Sequence, residues 1–112
     1  MISTHVLDIA RGRPAAGVAV LLELVDASGA RREFGREATD ADGRVRELVA
    51  PGNELQAGTY CLTFETGDYF AATGVDTFYP RVSILVTVRD ASEHLHIPLL
   101  LSPYGYSTYR GT

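Results

Sequence analysis

His94-Leu95-His96-Ile97-Pro98-Leu99-Leu100-Leu101-Ser102 decides the architecture, because its apolar residues repeat at every second position. In a β-strand successive side chains project to opposite faces. Leu95, Ile97, Leu99 and Leu101 therefore share one face, which reads as core. His94, His96, Pro98 and Leu100 share the other, a face neither fully polar nor fully apolar. The pattern predicts that His96 points away from the domain core.

Working outward, similar short runs recur along the chain. They predict strands at Ser3–Ile9, Val18–Asp26, Arg31–Thr39, Gly58–Thr66, Val82–Arg89 and Tyr106–Arg110, with a shorter one near Val45–Val49. Within Gly58–Thr66, Tyr60, Leu62 and Phe64 oppose Cys61, Thr63 and Glu65. Turn signals separate the runs: Gly12-Arg13-Pro14, Ser28-Gly29, Asp42-Gly43, Pro51-Gly52-Asn53, Asp90–Glu93 and Ser102-Pro103. Roughly eight strands at this spacing point to an all-β sandwich or barrel. Asp68–Thr73 is expected to make one helical turn, with Asp68 as N-cap and Gly74 as stop.

The 112 residues are expected to form a single domain, 1–112, long enough to bury one core. With 46% hydrophobic and 21% charged residues, the composition is that of a globular chain. The net charge of −4 and the absence of a Lys/Arg cluster argue against a nucleic-acid partner. The longest apolar runs, Val18–Leu22 and Ile97–Leu101, fall far short of the roughly 20 residues of a membrane span, so no membrane partner is expected. His5 and Asp8 interrupt the N-terminus where a leader would be apolar. One cysteine, Cys61, excludes an internal disulfide and fits a reducing compartment. Together these predict a cytoplasmic protein.

Three of the six tyrosines, Tyr104, Tyr106 and Tyr109, fall in the last nine residues. Leaving them in water would forgo about 1.5–3 kcal/mol per large side chain. Together with the apolar residues on the His96 face, they predict packing against another subunit.

The three histidines are His5, His94 and His96. Imidazole is the usual general base near neutral pH. His94-x-His96 also has the spacing of a metal pair, although a hydrolytic zinc site needs a third ligand. Taken singly, each histidine reads first as a surface or hydrogen-bonded residue with no role. Arg44 follows the Asp42-Gly43 turn, where a guanidinium can clamp a carbonyl or an oxyanion; Arg36 and Arg46 are equally available by composition. Cys61 reads as a small apolar filler. Ser107 and Thr108 lack the glycines of a nucleophile elbow, and no phosphate-binding glycine loop is present.

Three blocks resemble the transthyretin-related 5-hydroxyisourate hydrolases. They are Ser3-Thr4-His5-Val6-Leu7-Asp8 with Gly12-x-Pro14-Ala15 and Gly17-Val18; Thr39-Asp40-Ala41-Asp42-Gly43-Arg44; and the whole of His94–Thr112, ending Ser102-Pro103-Tyr104-Gly105-Tyr106-Ser107-Thr108-Tyr109-Arg110-Gly111-Thr112. Phe78-Tyr79-Pro80 also fits. The resemblance implies a transthyretin-like sandwich of two four-stranded sheets with one short helix. It also implies a homotetramer, a dimer of dimers with its sites in the channel where dimers meet. No cofactor and no metal are implied. The implied activity is hydrolysis of 5-hydroxyisourate to 2-oxo-4-hydroxy-4-carboxy-5-ureidoimidazoline, in urate degradation. His5, Arg44, His96 and Thr112 would be the catalytic residues, and His5, Arg44, Tyr106, Tyr109, Arg110 and Gly111 would bind substrate. Thr112 stands where the family usually has serine, keeping the hydroxyl and adding a methyl, and Gly105 stands where serine is common.

On these assignments His96 or His5 takes a proton from water. Arg44 offsets the developing negative charge, and Thr112 orients a histidine or the water through its hydroxyl or its carboxylate. Rival readings are a transthyretin-like small-ligand carrier without catalysis, a metal-dependent hydrolase using His94 and His96, and a purely structural sandwich.

Overall fold

A computed structural model describes Met1–Thr112 and contains two sheets and one helix. The strands are β1 (Ile2–Asp8), β2 (Arg13–Pro14), β3 (Ala19–Val25), β4 (Arg31–Ala38), β5 (Arg44–Val45), β6 (Gly58–Phe64), β7 (Val82–Val88), β8 (Leu95–Ser102) and β9 (Gly105–Thr108); α1 spans Thr66–Ala72 between β6 and β7. The first sheet has the order β2-β1-β8-β9, with β5 also on β1. Because β8 occupies one edge of β1 along its whole length, β5 and β2 lie end to end on the other, at Thr4–His5 and Leu7–Asp8. The second sheet is antiparallel, in the order β4-β3-β6-β7.

The alternation read from the sequence places the core between the sheets. Leu95, Ile97, Leu99 and Leu101 of β8 are buried there with Ile2 and Val6 of β1. Val20 and Leu22 of β3, Tyr60, Leu62 and Phe64 of β6, and Val82, Ile84 and Val88 of β7 meet them from the second sheet. Phe34 packs edge-on against Tyr60, with ring centroids 5.4 Å apart, a geometry aromatic pairs favour. Polar groups inside are satisfied: Thr4 Oγ1 donates to the Ile97 carbonyl at 2.6 Å, and the Tyr69 hydroxyl donates to buried Asp8 at 2.8 Å. That second bond ties α1 to β1. Asp8 and burial together push the Tyr69 hydroxyl above its ordinary pKa of 10.0, burial being the larger cause.

Several boundaries differ from the sequence-based expectation. The helix begins two residues before Asp68, which lies in its first turn; Glu65 is the N-cap and makes no side-chain capping bond. Thr66 is fully buried, so packing rather than capping chemistry sets the start. The strand expected near Val45–Val49 is confined to Arg44–Val45, and Arg13–Pro14, read as turn, pairs with β1. The last strand covers Gly105–Thr108, since the chain leaves β8 after Thr108.

Cys61 is fully buried although it lies on the outer side of its sheet. The guanidinium of Arg31 covers it, with Nη1 3.4 Å from Sγ. The small-filler reading of Cys61 therefore agrees with its position.

Candidate active site

The site is built by strand register. In the parallel β1–β8 pair, Ser3 lies opposite His96, His5 opposite Pro98 and Leu7 opposite Leu100. In the β1–β5 pair, Arg44 lies opposite His5. Residues opposite each other in a ladder share a face, so Ser3, His5, Arg44 and His96 gather on the outer side of the first sheet. Residues distant in sequence meet because β1 is the strand between the other two.

The turn before β5 aims Arg44. The Asp40 carboxylate accepts the backbone N–H groups of Asp42 at 2.9 Å and Arg44 at 3.0 Å. These bonds, the one from Arg44 foremost, hold its carboxyl below the ordinary value. Gly43 turns the chain at φ +75°, and a Cβ there would lie 2.5 Å from the Val6 carbonyl oxygen. Only glycine combines that dihedral with that approach.

An open hollow of about 370 Å³ lies on this face, with walls that include Ser3, Arg44, Arg46, His94, His96 and Thr112. Ser3, only 6% exposed, sits between two imidazoles. Its Oγ is 2.8 Å from His94 Nε2 and 2.7 Å from His96 Nδ1. His96 is half-buried, and its pKa is lowered from the ordinary 6.5, first by burial and then by the nearby positive charges of Arg44, His5 and His94. Neutral pH therefore finds it as the free base, with Nδ1 bonded to Ser3.

The C-terminal residues close over this histidine. The Gly111 N–H donates to the His96 carbonyl at 2.8 Å in an antiparallel bridge. A Cβ on Gly111 would lie 2.6 Å from His96 Cδ2 and 3.3 Å from Pro98 Cγ. Glycine here lets the tail lie against the imidazole and brings Thr112 to the hollow.

The other expected residues are placed elsewhere in the protomer. His5 shares the face, but its Nε2 donates to the Asp42 carbonyl at 2.9 Å, and it does not form a wall of the hollow. Tyr106 lies opposite core-facing Leu101 and packs edge-on against Tyr79 at 5.1 Å. Tyr109 and Arg110 border a separate hollow of about 310 Å³ beside β7, and Arg110 pairs with Glu93. Tyr104 stays 71% exposed and Tyr109 57%.

Ser3 is the residue that sequence reasoning missed. The signal was available: Ser3 and His5 are two apart and so share a face, but a lone serine carries no pattern until β8 is known to run parallel beside it. His94 and His96 turn toward this serine, and no third His, Cys, Asp or Glu is gathered with them into a metal-holding group.

The chain is similar to known proteins along nearly its whole length. The model of the HIUase/transthyretin family matches residues 2–111. A probable 5-hydroxyisourate hydrolase of Caenorhabditis elegans is 46% identical over 99% of this chain and 81% of its own length. The 5-hydroxyisourate hydrolase of Mesorhizobium japonicum is 45% identical over 99% of this chain and 91% of its own. Among solved structures, Klebsiella pneumoniae 5-hydroxyisourate hydrolase superposes with a TM-score of 0.85 at 40% identity, covering 99% of this chain and 98% of that one. Sea bream transthyretin in complex with thyroxine superposes at 0.90 with 27% identity, covering 99% and 94%.

Proposed function

This chain belongs to the HIUase/transthyretin family, and from that premise we infer that it is a 5-hydroxyisourate hydrolase, opening the ring to 2-oxo-4-hydroxy-4-carboxy-5-ureidoimidazoline in urate degradation. The observation that carries the reading is the meeting on one hollow of His96, whose Nδ1 is held by Ser3, with Arg44, whose guanidinium forms no ion pair. Ring opening of a cyclic amide needs that pair: a group to take a proton from water, and a cation where the carbonyl oxygen becomes negative.

His96 is the base. Ser3 occupies its Nδ1, which leaves Nε2 as the nitrogen available to water. Burial and neighbouring cations keep it unprotonated. His5 donates from Nε2 to a backbone carbonyl, an arrangement suited to holding its ring in place and presenting Nδ1 to the substrate. Arg44 clamps the substrate and stabilises the oxyanion. Thr112 lines the hollow, where its hydroxyl orients the water. Gly111 presses against the His96 ring. Tyr106, Tyr109 and Arg110 act on the substrate only through further chains, since within one protomer they face other surroundings.

The assembly is a homotetramer, a dimer of dimers. Two observations support it. The outer edges of β7 and β9 are unpaired and flank one hollow, and an unpaired edge is a template for another strand. Leu85, Tyr104 and Tyr109 are large and exposed. No helix of the structure is long and apolar enough to cross a membrane. The free thiol of Cys61 suits the cytoplasm, and residues 1–112 act as one domain around one core.

A carrier reading is not favoured. The backbone likeness to transthyretin is close, but identity is greater with the hydrolases, and a carrier needs no base beside Arg44. The test is spectrophotometric decay of freshly generated 5-hydroxyisourate with and without the protein. Because the compound also decays unaided, the expected result is decay well above the control rate. Tight binding without acceleration would overturn the reading. Sedimentation equilibrium is expected to report four subunits, and a fully active monomer would remove the shared channel.

A further inference from the structure

Ser3 Oγ stands between two imidazoles, 2.8 Å from His94 Nε2 and 2.7 Å from His96 Nδ1. A hydroxyl supplies one hydrogen and can accept others, and each nitrogen of a neutral imidazole either carries a hydrogen or offers a lone pair. Ser3 is buried, so both bonds are made from what these three groups supply. The serine hydrogen fills one contact and a histidine N–H fills the other. Two arrangements satisfy this. In the first, His96 Nδ1–H donates to Ser3 and Ser3 donates to His94 Nε2, which leaves a lone pair on His96 Nε2. In the second, both bonds run the other way and neutral His96 carries its hydrogen on Nε2.

We propose that Ser3 and His94 are positioning residues that fix His96 in the first arrangement: His94 draws the serine hydrogen outward, and the serine oxygen then holds the His96 hydrogen on Nδ1. The consequence rests on the hydrolase reading, because only a bare Nε2 takes a proton from water. Three observations favour the first arrangement. His94 is exposed, so water satisfies its Nδ1 in either form and the choice falls to half-buried His96. The charges acting on His96 are those of Arg44, His5 and His94, and a lone pair on its open nitrogen meets a cation better than an N–H does. Asp40, whose carboxylate accepts the backbone N–H groups of Asp42 and Arg44, acts through charge on Arg46 and Arg44 and offsets part of their charge; Arg44 still acts on His96 as a cation. Finally, the ring is held from two sides, by Ser3 at Nδ1 and by the tail at Cδ2, where a Cβ on Gly111 would lie 2.6 Å away. The nitrogen left open is therefore Nε2.

The proton account closes on His96 alone. Nε2 takes one proton from the attacking water as the C–O bond forms. It returns that proton to the ring nitrogen of the substrate as the C–N bond breaks. The other water proton stays on the new carboxyl group and enters solvent when that group ionises. The Nδ1 hydrogen stays in place, no group is oxidised or reduced, and His96 ends each turnover in the form in which it began.

The experiment reads the tautomer directly, which is set by the bond the other nitrogen makes. In protein carrying nitrogen-labelled histidine, long-range proton–nitrogen correlation NMR reports which ring nitrogens hold a hydrogen, at a pH where imidazole is neutral. The signals lost in His96→Gln identify His96. Wild type is expected to show a hydrogen on Nδ1 of His96 and none on Nε2. His94→Phe keeps a ring but no acceptor, so the serine hydrogen should turn to Nδ1 and His96 should carry its own on Nε2. Its kcat for 5-hydroxyisourate should fall about tenfold, less than the 10²–10⁴ that a base supplies, with KM unchanged. His94→Gln, which accepts through Oε1, and Ser3→Thr should recover the wild-type tautomer, whereas Ser3→Ala should mix the two forms. A merely structural role would move no tautomer. A wild-type His96 with its hydrogen on Nε2 would overturn the proposal without any variant having to fold, and an unchanged tautomer in His94→Phe would do the same. If the tautomers are as expected but wild type does not accelerate decay above the control, it is the hydrolase reading that fails.

Discussion

The outer faces of the two sheets are built from the same kind of strand and carry charge in opposite ways. On the second sheet, Arg36 lies 2.7 Å from Glu33 and Arg31 lies 3.5 Å from Glu23. On the first sheet, Arg44, His5, His94 and His96 stand together, and Arg44 forms no ion pair. Paired exposed charges are solvated surface and contribute little. Here Arg44 forms no ion pair, although Asp40 acts on it through charge, and a guanidinium so placed suits a face where something negative is to be bound or formed. The difference teaches that the proposed catalytic face is marked by an arginine without an ion pair, not by an abundance of charge.

The comparison is broken most directly at His96. With His96→Ala, kcat is expected to fall by about 10²–10⁴, the contribution of a positioned base, with circular dichroism unchanged. Turnover near that of wild type would leave the first face no more catalytic than the second. Next is Arg44→Ala, expected to lower kcat by about 10²–10³, as loss of a single oxyanion donor does. It carries a second signature. The acid limb of the wild-type pH profile should lie below 6.5, because burial and then Arg44 lower the His96 pKa. Removing Arg44 should raise that limb toward 6.5. An unmoved limb would separate Arg44 from His96. Smaller again is Gly111→Ala. Its Cβ, 2.6 Å from His96 Cδ2, must displace the tail or the ring by a fraction of an ångström to about 1 Å. Such misplacement is expected to lower kcat on the order of 10-fold to 10²-fold, with little change in Tm.

Legibility followed the range of the interactions. Alternation along β8 placed His96 off the core face, because face assignment depends only on near neighbours. Arg44 was only one of three arginines until β5 set it opposite His5. Ser3 showed only that it shares a face with His5, since its meaning comes from a parallel pairing across 93 residues. Tyr106 points to the core side because β9 pairs in register with Leu101, and no turn signal near Ser102-Pro103 specifies that register. Asp68 looked like a cap by composition, yet packing of Thr66, Tyr69 and Phe70 set the helix start. The tail's place in the site came from family resemblance, and its contact on His96 came from the bridge at Gly111.

The smallest effect is expected on the quiet face. Arg36→Ala removes a guanidinium as Arg44→Ala does, but Arg36 and Glu33 are both more than half exposed, at 67% and 52%. Turnover should be that of wild type. Any loss of Tm should be slight, because solvent already screens the pair. Its pH dependence has a defined sign. Arg36, first by hydrogen bonding and then by charge, lowers the Glu33 pKa below 4.5. A carboxyl with a depressed folded pKa stabilises the fold above its unfolded value and ceases to do so as pH falls through the folded one. The Tm of wild type and variant should therefore differ, if at all, at neutral pH and converge in acid. A loss of turnover matching that of Arg44→Ala would mean that the two faces do not divide the labour as their charges indicate.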